Sequence, residues 1–275
     1  MKKLILILLS VATATIMFSS CSKTNDEVKP VVKNYVLVHG AWQAPYVWDV
    51  VKATLINEGN NVTVVELPGH GSDNTDPSTI TLNLYRDKVI DAVSKMNGKV
   101  ILVGHSLGGM IISSVAEQIP TKIEKLVYLA AYLPTSGQSL FKLATSDPGS
   151  QLGVAGNLIF NNSGLTVDVK KDQIVNAFIQ DGSAQVQNLV LQNYRPEPGI
   201  ALEDSVTLTA ANFGSVEKVY IKTLQDHVVS PGLQDRMIST AMGGGVKTVY
   251  QLNTSHSAFL AKPDSVAILL AKIGQ

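Results

Sequence analysis

A ten-residue stretch near the middle of the chain, Val100 to Gly109 (VILVGHSLGG), limits the possible folds more than any other part of the sequence. Its four leading apolar residues are typical of a buried strand, and the glycines that follow indicate a sharp turn into a helix. Gly104-His105-Ser106-Leu107-Gly108 matches the pattern G-x-S-x-G, in which a strained strand-to-helix turn exposes the serine hydroxyl. The glycines therefore serve either close packing alone or the presentation of Ser106 as a nucleophile.

Strand-like and helix-like segments alternate on both sides of this turn. Such alternation predicts βαβ units and an α/β fold with a mostly parallel, doubly wound sheet that helices cover on both faces. The sequence predicts strands at 34–38, 62–66, 100–103, within 123–133, at 219–223 and at 248–252, and helices at 47–57, 82–96, 110–118, 233–242 and 264–273.

The alternation stops between residue 134 and about residue 210. Gly, Ser, Asn and Asp are mixed there with short apolar groups such as Leu158-Ile159-Phe160. An insertion of this length between sheet elements is more typical of a cap than of a structureless loop. We therefore predict one domain at 34–275, with a cap inserted at about 134–210.

Composition excludes several classes of protein. Lys and Arg together number 22, as do Asp and Glu, so no net charge is available to attract nucleic acid. Hydrophobic residues make up 45% of the chain, which is ample for one large core. The sequence has no internal repeat, no metal-ligand cluster, no phosphate-cradling loop and no dinucleotide fingerprint. We therefore expect a globular protein that needs no cofactor.

The first twenty residues resemble an export signal. Lys2-Lys3 precedes an uncharged, mostly apolar segment from Leu4 to Phe18, which is short for a membrane-spanning helix. The segment runs into Ser19-Ser20-Cys21-Ser22, and Cys21 is the only cysteine of the chain. A cysteine at this place, after small residues, resembles a bacterial lipoprotein lipobox, although Phe18 stands where that motif usually has leucine.

We therefore predict a signal peptide at 1–20, lipidation of Cys21 and a tether at 21–33. The protein is expected to be exported and anchored by its acyl chains to a membrane of the bacterial cell envelope. The alternative is ordinary cleavage after Ala12-Thr13-Ala14, which satisfies the small-x-small rule and would release a periplasmic or secreted protein. That alternative leaves Ile16-Met17-Phe18 at an exposed terminus and gives Cys21 no role.

A serine hydroxyl becomes an effective nucleophile only when a base removes its proton, and an acid must orient that base. Of the five histidines, His256 follows the last predicted strand, at the carboxyl edge of the sheet where active groups gather. It also completes the chain order serine, acid, histidine. His70, His105 and His227 are assigned surface or turn roles, and His39 is expected to shape its own loop.

The acid is expected between Ser106 and His256, at a strand end. Asp226 follows the predicted strand at 219–223 by three residues, which places it at the same edge of the sheet. No carboxylate directly follows the strand within 123–133. Position and elimination therefore favour Asp226. The rejected candidates lie in the cap or within a helix: Asp181, Glu203, Asp204 and Asp235.

Attack on a carbonyl also needs two backbone donors for the developing oxyanion. The N–H of Leu107, directly after the candidate nucleophile, is one of them. The loop after the first strand, His39-Gly40-Ala41-Trp42, supplies the N–H of Ala41 as the other. Trp42 and the apolar groups of the cap are expected to line a largely hydrophobic pocket.

With these residues assembled, the chain resembles the α/β-hydrolase superfamily from about residue 35 to its end. Within it, the likeness is to plant methylesterases, hydroxynitrile lyases and bacterial pyrethroid-hydrolase-like carboxylesterases. The motifs that carry it are YVLVHGAW, VILVGHSLGGM, YLAAYLP, NFGSVEKVYIKTLQDHVVSPGLQDRM and TSHSAFLAKP. The resemblance implies the same roles: Ser106 as nucleophile, His256 as base, Asp226 as orienting acid, and Ala41 and Leu107 as oxyanion donors.

Two departures from the family bear on the activity. The plant lyases are similar but have threonine where Gly40 stands and lysine where Ser257 stands, and they use those groups to handle cyanide. Cyanohydrin cleavage is therefore disfavoured. We expect a serine carboxylesterase that hydrolyses small to medium, hydrophobic carboxylic esters through an acyl-enzyme. Hydroxynitrile-lyase-like cleavage and a non-catalytic, ligand-binding role remain the alternatives.

Overall fold

The computed structural model describes residues 32–154, 156–162 and 165–275. The predicted signal peptide at 1–20, Cys21 and all but the last two residues of the predicted tether lie outside these ranges. Within the ranges, no helix combines the length and the apolar character needed to cross a bilayer.

The helices and strands follow one another in the alternating order that the sequence predicts, with a cluster of shorter elements in between. In chain order they are β1 (Asn34–Val38), α1 (Asp49–Asn57), β2 (Asn61–Val65), α2 (Leu82–Ser94), β3 (Val100–His105), α3 (Gly108–Gln118), β4 (Ile123–Leu129), α4 (Leu140–Thr145), β5 (Leu158–Asn161), β6 (Thr166–Val169), α5 (Ile174–Phe178), α6 (Ala184–Asn193), β7 (Glu197–Pro198), α7 (Gly199–Glu203), β8 (Glu217–Thr223), α8 (Pro231–Ser239), β9 (Val246–Leu252), α9 (Ala258–Ala261) and α10 (Pro263–Gly274).

Six strands form one parallel sheet in the order β2-β1-β3-β4-β8-β9, which confirms the predicted α/β fold. From β1 the chain first adds β2 on one side and then crosses to β3 on the other. The direction of winding therefore switches between β1 and β3, and such switch points open a crevice at the carboxyl ends of the strands. Ala41 and Ser106 follow these two strand ends.

Strand β3 is buried along its whole length at the centre of the sheet. Successive side chains of a strand point to opposite faces, so its apolar run packs into two separate cores. Val100 and Leu102 join the core that contains residues of α2, α3 and α8. Ile101 and Val103 join the core formed with α1, α9 and α10. Because β3 is buried on both faces, its sequence is a continuous apolar run rather than an alternation of apolar and polar residues.

Some helix boundaries differ from the sequence prediction. The segment predicted as one helix at 47–57 begins as a 3₁₀ turn, Pro45–Trp48, and becomes α-helical only at Asp49. Helix α8 begins at Pro231 rather than at 233, because Ser230 caps it and proline suits the first helical turn. At α8 the apolar periodicity used for prediction begins two residues after the helix does, whereas at α1 it already begins within the 3₁₀ turn.

The chain between β4 and β8, residues 130–216, is called the insert below. It includes the stretch for which the sequence predicts a cap, and it carries α4 to α7. It also forms a second sheet, the antiparallel β5-β6-β7, which the sequence analysis did not predict. These strands are two to four residues long, too short for an apolar alternation to be recognised.

Candidate active site

Ser106 lies in the turn between the end of β3 and the start of α3, and its backbone is left-handed, with φ of 53°. For a residue with a side chain this conformation costs on the order of 1–3 kcal/mol, so neighbouring contacts must hold it. Its carbonyl oxygen accepts hydrogen bonds from the N–H groups of Gly109 (3.0 Å) and Tyr132 (3.1 Å). The hydroxyl-bearing side chain is almost fully buried but lines a pocket. The strained turn predicted from G-x-S-x-G is thus present.

Two glycines allow the chain segments around Ser106 to approach one another. A Cβ atom at Gly104 would lie 2.5 Å from the carbonyl oxygen of Gly108, where α3 begins. A Cβ atom at Gly40 would lie 2.7 Å from the Cβ atom of Ser106 and 2.9 Å from Nδ1 of His105. The sequence alone is compatible with glycines that serve packing or with glycines that present the hydroxyl. The close packing at Gly40 and Gly104 forms the turn, and this turn places the Ser106 hydroxyl in the pocket wall.

His256 and Asp226 form a buried pair. Nδ1 of His256 lies 2.8 Å from Oδ2 of Asp226, and both side chains are almost completely shielded from solvent. The carboxylate accepts three further hydrogen bonds, which fix its orientation. They come from Thr223 Oγ1 to Oδ2 (2.7 Å) and from the backbone N–H groups of Val228 (2.8 Å) and Val229 (2.9 Å) to Oδ1. Asp226 therefore holds the imidazole in one orientation, as an orienting acid must.

The other ring nitrogen of His256 is available. Nε2 is buried, and none of the described residues forms a hydrogen bond with it. The structure does not join Ser106 and His256 by a direct hydrogen bond either. Catalytic hydrogen bonds of this kind commonly tighten only when substrate binds. Nδ1 of the buried imidazole is thus held by Asp226, while Nε2 has no partner among the described residues.

His105 connects the turn at Ser106 to the loop that carries His256. Its Nε2 lies 3.0 Å from the carbonyl oxygen of His256, and the two rings are 4.5 Å apart between centroids. Burial, and to a lesser degree the neighbouring His256, hold the pKa of His105 well below its usual range. The neutral ring therefore donates its Nε2 proton to that carbonyl. The surface or turn role assigned to His105 was wrong, because its side chain is buried in the core.

The loop after β1, residues 39–42, is called the β1 loop below. His39 donates from Nδ1 to the carbonyl oxygen of Gly40 (2.9 Å) and accepts at Nε2 from the N–H of Leu67 (3.3 Å). Complete burial, together with the nearby His70, lowers the pKa of His39 to about 3. A neutral His39 thus shapes the β1 loop, as expected from the sequence. Ala41, the predicted oxyanion donor, lines the same pocket as Ser106, and Leu107 directly follows Ser106 and is buried.

Trp42 in the β1 loop has a left-handed backbone, with φ of 60°, which is rare for a bulky residue. Its backbone N–H donates to Oε2 of Glu197 at 2.9 Å, and its indole Nε1 donates to the carbonyl oxygen of Val167 at 2.8 Å. Glu197 is itself completely buried and lies 2.8 Å from Nε2 of His70. Glu197 lies between two prolines in the insert and was not predicted from the sequence. From the sequence, His70 was assigned a surface or turn role; it does lie in a turn, but it is fully buried.

A pocket opens above Ser106, and its empty space, including the part open to solvent, is about 620 Å³. Ala41, Trp42 and Ser106 form one side of it, and the insert supplies most of the remainder. No Asp, Glu, Lys or Arg occurs among the residues that the structure places around it. The largest apolar side chains that the insert contributes are Leu140, Phe141, Leu152, Leu158, Phe160 and Leu202. The hydrophobic pocket expected from the sequence is therefore present, with Trp42 in its wall.

The remaining predicted residues are placed as follows. His227 is partly exposed, and its Nδ1 bonds the carbonyl oxygen of Asn176. The rejected acids contact other groups: Asp181 accepts from Thr254 Oγ1 and Asp204 accepts from the N–H of Leu82. Across the described ranges, no group of three or more His, Cys, Asp or Glu side chains is placed to hold a metal ion.

The crevice at the switch point, the serine turn and the late histidine are features of one class of enzymes, the α/β hydrolases. A model of the alpha/beta hydrolase family matches residues 35–268, so the chain belongs to this family. The family resemblance seen in the motifs is thereby confirmed.

Individual relatives extend over most of the chain. Two are Arabidopsis thaliana proteins named "Putative methylesterase 14, chloroplastic" and "Putative methylesterase 11, chloroplastic". The first is 30% identical over 89% of this chain and 73% of its own length. The second is 31% identical over 88% of this chain and 64% of its own length. A pyrethroid hydrolase from Sphingobium faniae JZ-2 has a similar fold, with a TM-score of 0.77 and 23% identity over 89% of this chain and 98% of that one.

Replacing Gly40 by alanine is expected to destabilise the protein, because the new methyl group would overlap Ser106 and His105. Overpacking of this kind costs about 1–3 kcal/mol of unfolding free energy, which urea or thermal unfolding measures. Gly232→Ala in helix α8 is the matched control, since its Cβ would meet only Ser230 Oγ, at 3.7 Å. The control should be neutral or slightly stabilising. Equal unfolding midpoints would contradict the close approach of the β1 loop to Ser106.

Proposed function

We propose that this α/β hydrolase is a serine carboxylesterase that acts through a covalent acyl-enzyme. One observation carries the proposal: a serine in a strained turn lines an apolar pocket at the sheet edge that also carries a buried His256–Asp226 pair. The pair leaves Nε2 of His256 without a partner among the described residues. Serine, imidazole and carboxylate are the three groups that nucleophilic ester cleavage requires.

The proposed reaction proceeds in two halves. Oγ of Ser106 attacks the ester carbonyl while Nε2 of His256 takes its proton, and Asp226 stabilises the imidazolium that forms. The backbone N–H groups of Ala41 and Leu107 bind the oxyanion of the tetrahedral intermediate. His256 then gives its proton to the departing alcohol, which leaves an acyl group on Ser106. A water molecule, activated by the same imidazole, releases the carboxylic acid.

Family membership and the names of relatives support ester bonds as the target. The two Arabidopsis relatives are named as methylesterases, and a rice relative, 26% identical over 88% of this chain, is named as an esterase. The activity of a relative does not transfer by likeness alone. The proposal therefore depends on the chemistry of Ser106, Asp226 and His256 in this chain.

The pocket favours an uncharged, hydrophobic acyl or alcohol group of small to medium size. Its wall is built from Trp42 and from leucine and phenylalanine side chains of the insert, and burying such surface stabilises a bound apolar group by about 25 cal/mol per Å². A charged substituent would lose its hydration there without meeting a side chain of opposite charge.

Cyanohydrin cleavage receives no support from the β1 loop. Position 40, where the similar plant lyases have threonine, has no room for a side chain, because even a Cβ atom would lie 2.7 Å from Ser106 Cβ. Release of benzaldehyde from mandelonitrile tests this alternative directly. Ligand binding without turnover is the other alternative, and covalent labelling of Ser106 by a fluorophosphonate separates it from catalysis.

Ser106→Ala is expected to reduce hydrolysis of p-nitrophenyl acetate by about 10⁴-fold or more, because the reaction loses its nucleophile. Ser114→Ala, a serine in the following helix, is the matched control and should retain wild-type turnover. Circular dichroism should show the same fold for both variants. The proposal is wrong if Ser106→Ala retains turnover. It is also wrong if the wild-type protein neither hydrolyses esters nor reacts with a fluorophosphonate.

Ala144→Phe is expected to narrow the pocket from helix α4, because Ala144 lines its wall. The variant should lose about tenfold or more in kcat/KM for p-nitrophenyl hexanoate, while hydrolysis of the acetate changes less than about threefold. Lys142→Ala, an exposed position on the same helix, is the control and should leave the ratio of the two rates unchanged. Equal losses for both esters would show that this pocket does not receive the acyl chain.

We further propose that the protein is exported and anchored in the cell envelope through lipid attached to Cys21. In a bacterial host, radiolabelled palmitate should be incorporated into the wild-type protein and not into Cys21→Ser, which should leave the membrane fraction. The proposal rests on the export-signal pattern and on Cys21 being the only cysteine. A soluble wild-type protein with Thr15 at its amino terminus would instead establish cleavage after Ala14.

A further inference from the structure

We infer that Glu197 is a positioning residue that sets the geometry of the oxyanion hole by holding the backbone of Trp42. The inference rests on the proposed function, in which the N–H of Ala41 stabilises the oxyanion. Glu197 belongs to the insert, whereas Ala41 and Trp42 belong to the β1 loop of the hydrolase core. The insert would then serve the chemical step as well as the walls of the pocket.

Trp42 depends on the insert for its conformation. Its left-handed backbone is unfavourable for a bulky side chain, so it persists only where surrounding contacts fix it. Three hydrogen bonds do so, and all three partners lie in the insert. They join Trp42 N–H to Glu197 Oε2 (2.9 Å), Trp42 Nε1 to the carbonyl oxygen of Val167 (2.8 Å), and the N–H of Arg195 to the carbonyl oxygen of Trp42 (3.4 Å).

Of these three partners, only Glu197 contacts Trp42 through a side chain; Val167 and Arg195 use backbone groups. The Glu197 carboxylate is completely buried and accepts from Trp42 N–H, from Nε2 of His70 at 2.8 Å and from the hydroxyl of Tyr85 at 3.0 Å. These three donors give both oxygens of the buried carboxylate hydrogen-bond partners, as a polar group shielded from water requires. The charge strengthens each of these hydrogen bonds, including the one to the strained backbone.

His70 supplies the compensating positive charge. Its Nδ1 faces the carbonyl oxygen of Pro68 at 3.0 Å, and its Nε2 faces Glu197, so both ring nitrogens meet acceptors and both must carry protons. Burial by itself lowers the pKa of His70, but the charge and hydrogen bond of Glu197 outweigh burial and raise it. The other groups that face the pair leave this assignment intact: His39, 5.0 Å away between ring centroids, is neutral, and Arg195 opposes the shift only in part.

Glutamine cannot replace Glu197 without loss, because one oxygen serves two donors. Oε2 accepts from both Trp42 N–H and His70 Nε2. An amide that turns its oxygen toward them keeps the bond to Trp42 but leaves the charge of His70 uncompensated. An amide that turns its nitrogen toward a neutral His70 points a donor at the N–H of Trp42. Either arrangement weakens the hold on the peptide that directly follows Ala41.

Glu197→Gln is therefore expected to lower kcat for p-nitrophenyl acetate by about 10- to 100-fold, short of the 10²–10³ for complete loss of an oxyanion donor. KM should change by less than about threefold, because the indole of Trp42, which lines the pocket, keeps its own hydrogen bond to Val167. Asp204→Asn is the matched control: Asp204 is another insert carboxylate that accepts from a core N–H, that of Leu82, at 2.9 Å. The control should keep kcat within about threefold of wild type.

A second readout reports on the contact itself and needs no turnover. The chain has two tryptophans, so ¹⁵N-tryptophan labelling gives two backbone amide signals that single substitutions assign. The Trp42 amide should exchange slowly with deuterated water in wild type, in Ser106→Ala and in Asp204→Asn. It should exchange at least about tenfold faster in Glu197→Gln. If Glu197→Gln does not fold, rapid exchange of the Trp42 amide in the wild-type protein still overturns the inference.

The outcomes separate this inference from the proposed function. Unchanged kcat in Glu197→Gln, or a raised KM with unchanged kcat, overturns the inference. The proposed function still stands in that case if the wild type is active and Ser106→Ala is inactive. An inactive wild type overturns the function and with it the catalytic part of the inference, and the Trp42 amide then decides only whether the contact exists. A similar loss of kcat in Asp204→Asn would show a general weakening of the insert and also overturns the inference.

Discussion

The left-handed backbone of Ser106 is the constraint on which the rest of the site depends. A serine holds this conformation because β3, α3 and the β1 loop approach one another more closely than larger side chains would allow. Gly104 lies against the backbone of Gly108, and Gly40 lies against Ser106 itself. The approach that strains the turn therefore also brings the β1 loop beside the serine, so the hydroxyl and the proposed oxyanion donors derive from one packing arrangement.

The insert is bonded to each of the loops that carry the candidate groups. Its contacts are mostly hydrogen bonds that involve backbone N–H and C=O groups, which are costly to leave unpaired where they are buried. A bond between two backbone groups leaves few ways to relax without moving both partners. Beyond the bond from Trp42 to Glu197, these hydrogen bonds include Gln151 N–H to the carbonyl oxygen of His227 (2.7 Å), Ser257 N–H to that of Phe178 (3.0 Å) and Ser255 N–H to Oδ2 of Asp181 (3.0 Å).

The sequence predicted the parts of the site that local pattern encodes and missed those that arise from distant contacts. The strand before Ser106 and the loops of Asp226 and His256 follow from periodicity and from position at strand ends. Glu197 had no such signal, because the prolines on both sides argue against a strand and its partners His70 and Tyr85 lie more than a hundred residues away. The burial of His70 and His105 was missed for the same reason, since it depends on what packs over them.

The dependence of Trp42 on the insert has a consequence for how proteins of this design can diversify. Exchanging a lid is an obvious way to change which molecules an enzyme accepts, since the lid shapes the binding cavity. Here a transplanted lid with an apolar residue at position 197 would leave a backbone amide and a charged imidazole of the recipient without partners in its interior. A change of lid therefore alters substrate selectivity and reaction rate together. A functional chimera must keep an acidic residue at position 197 in the transplanted lid.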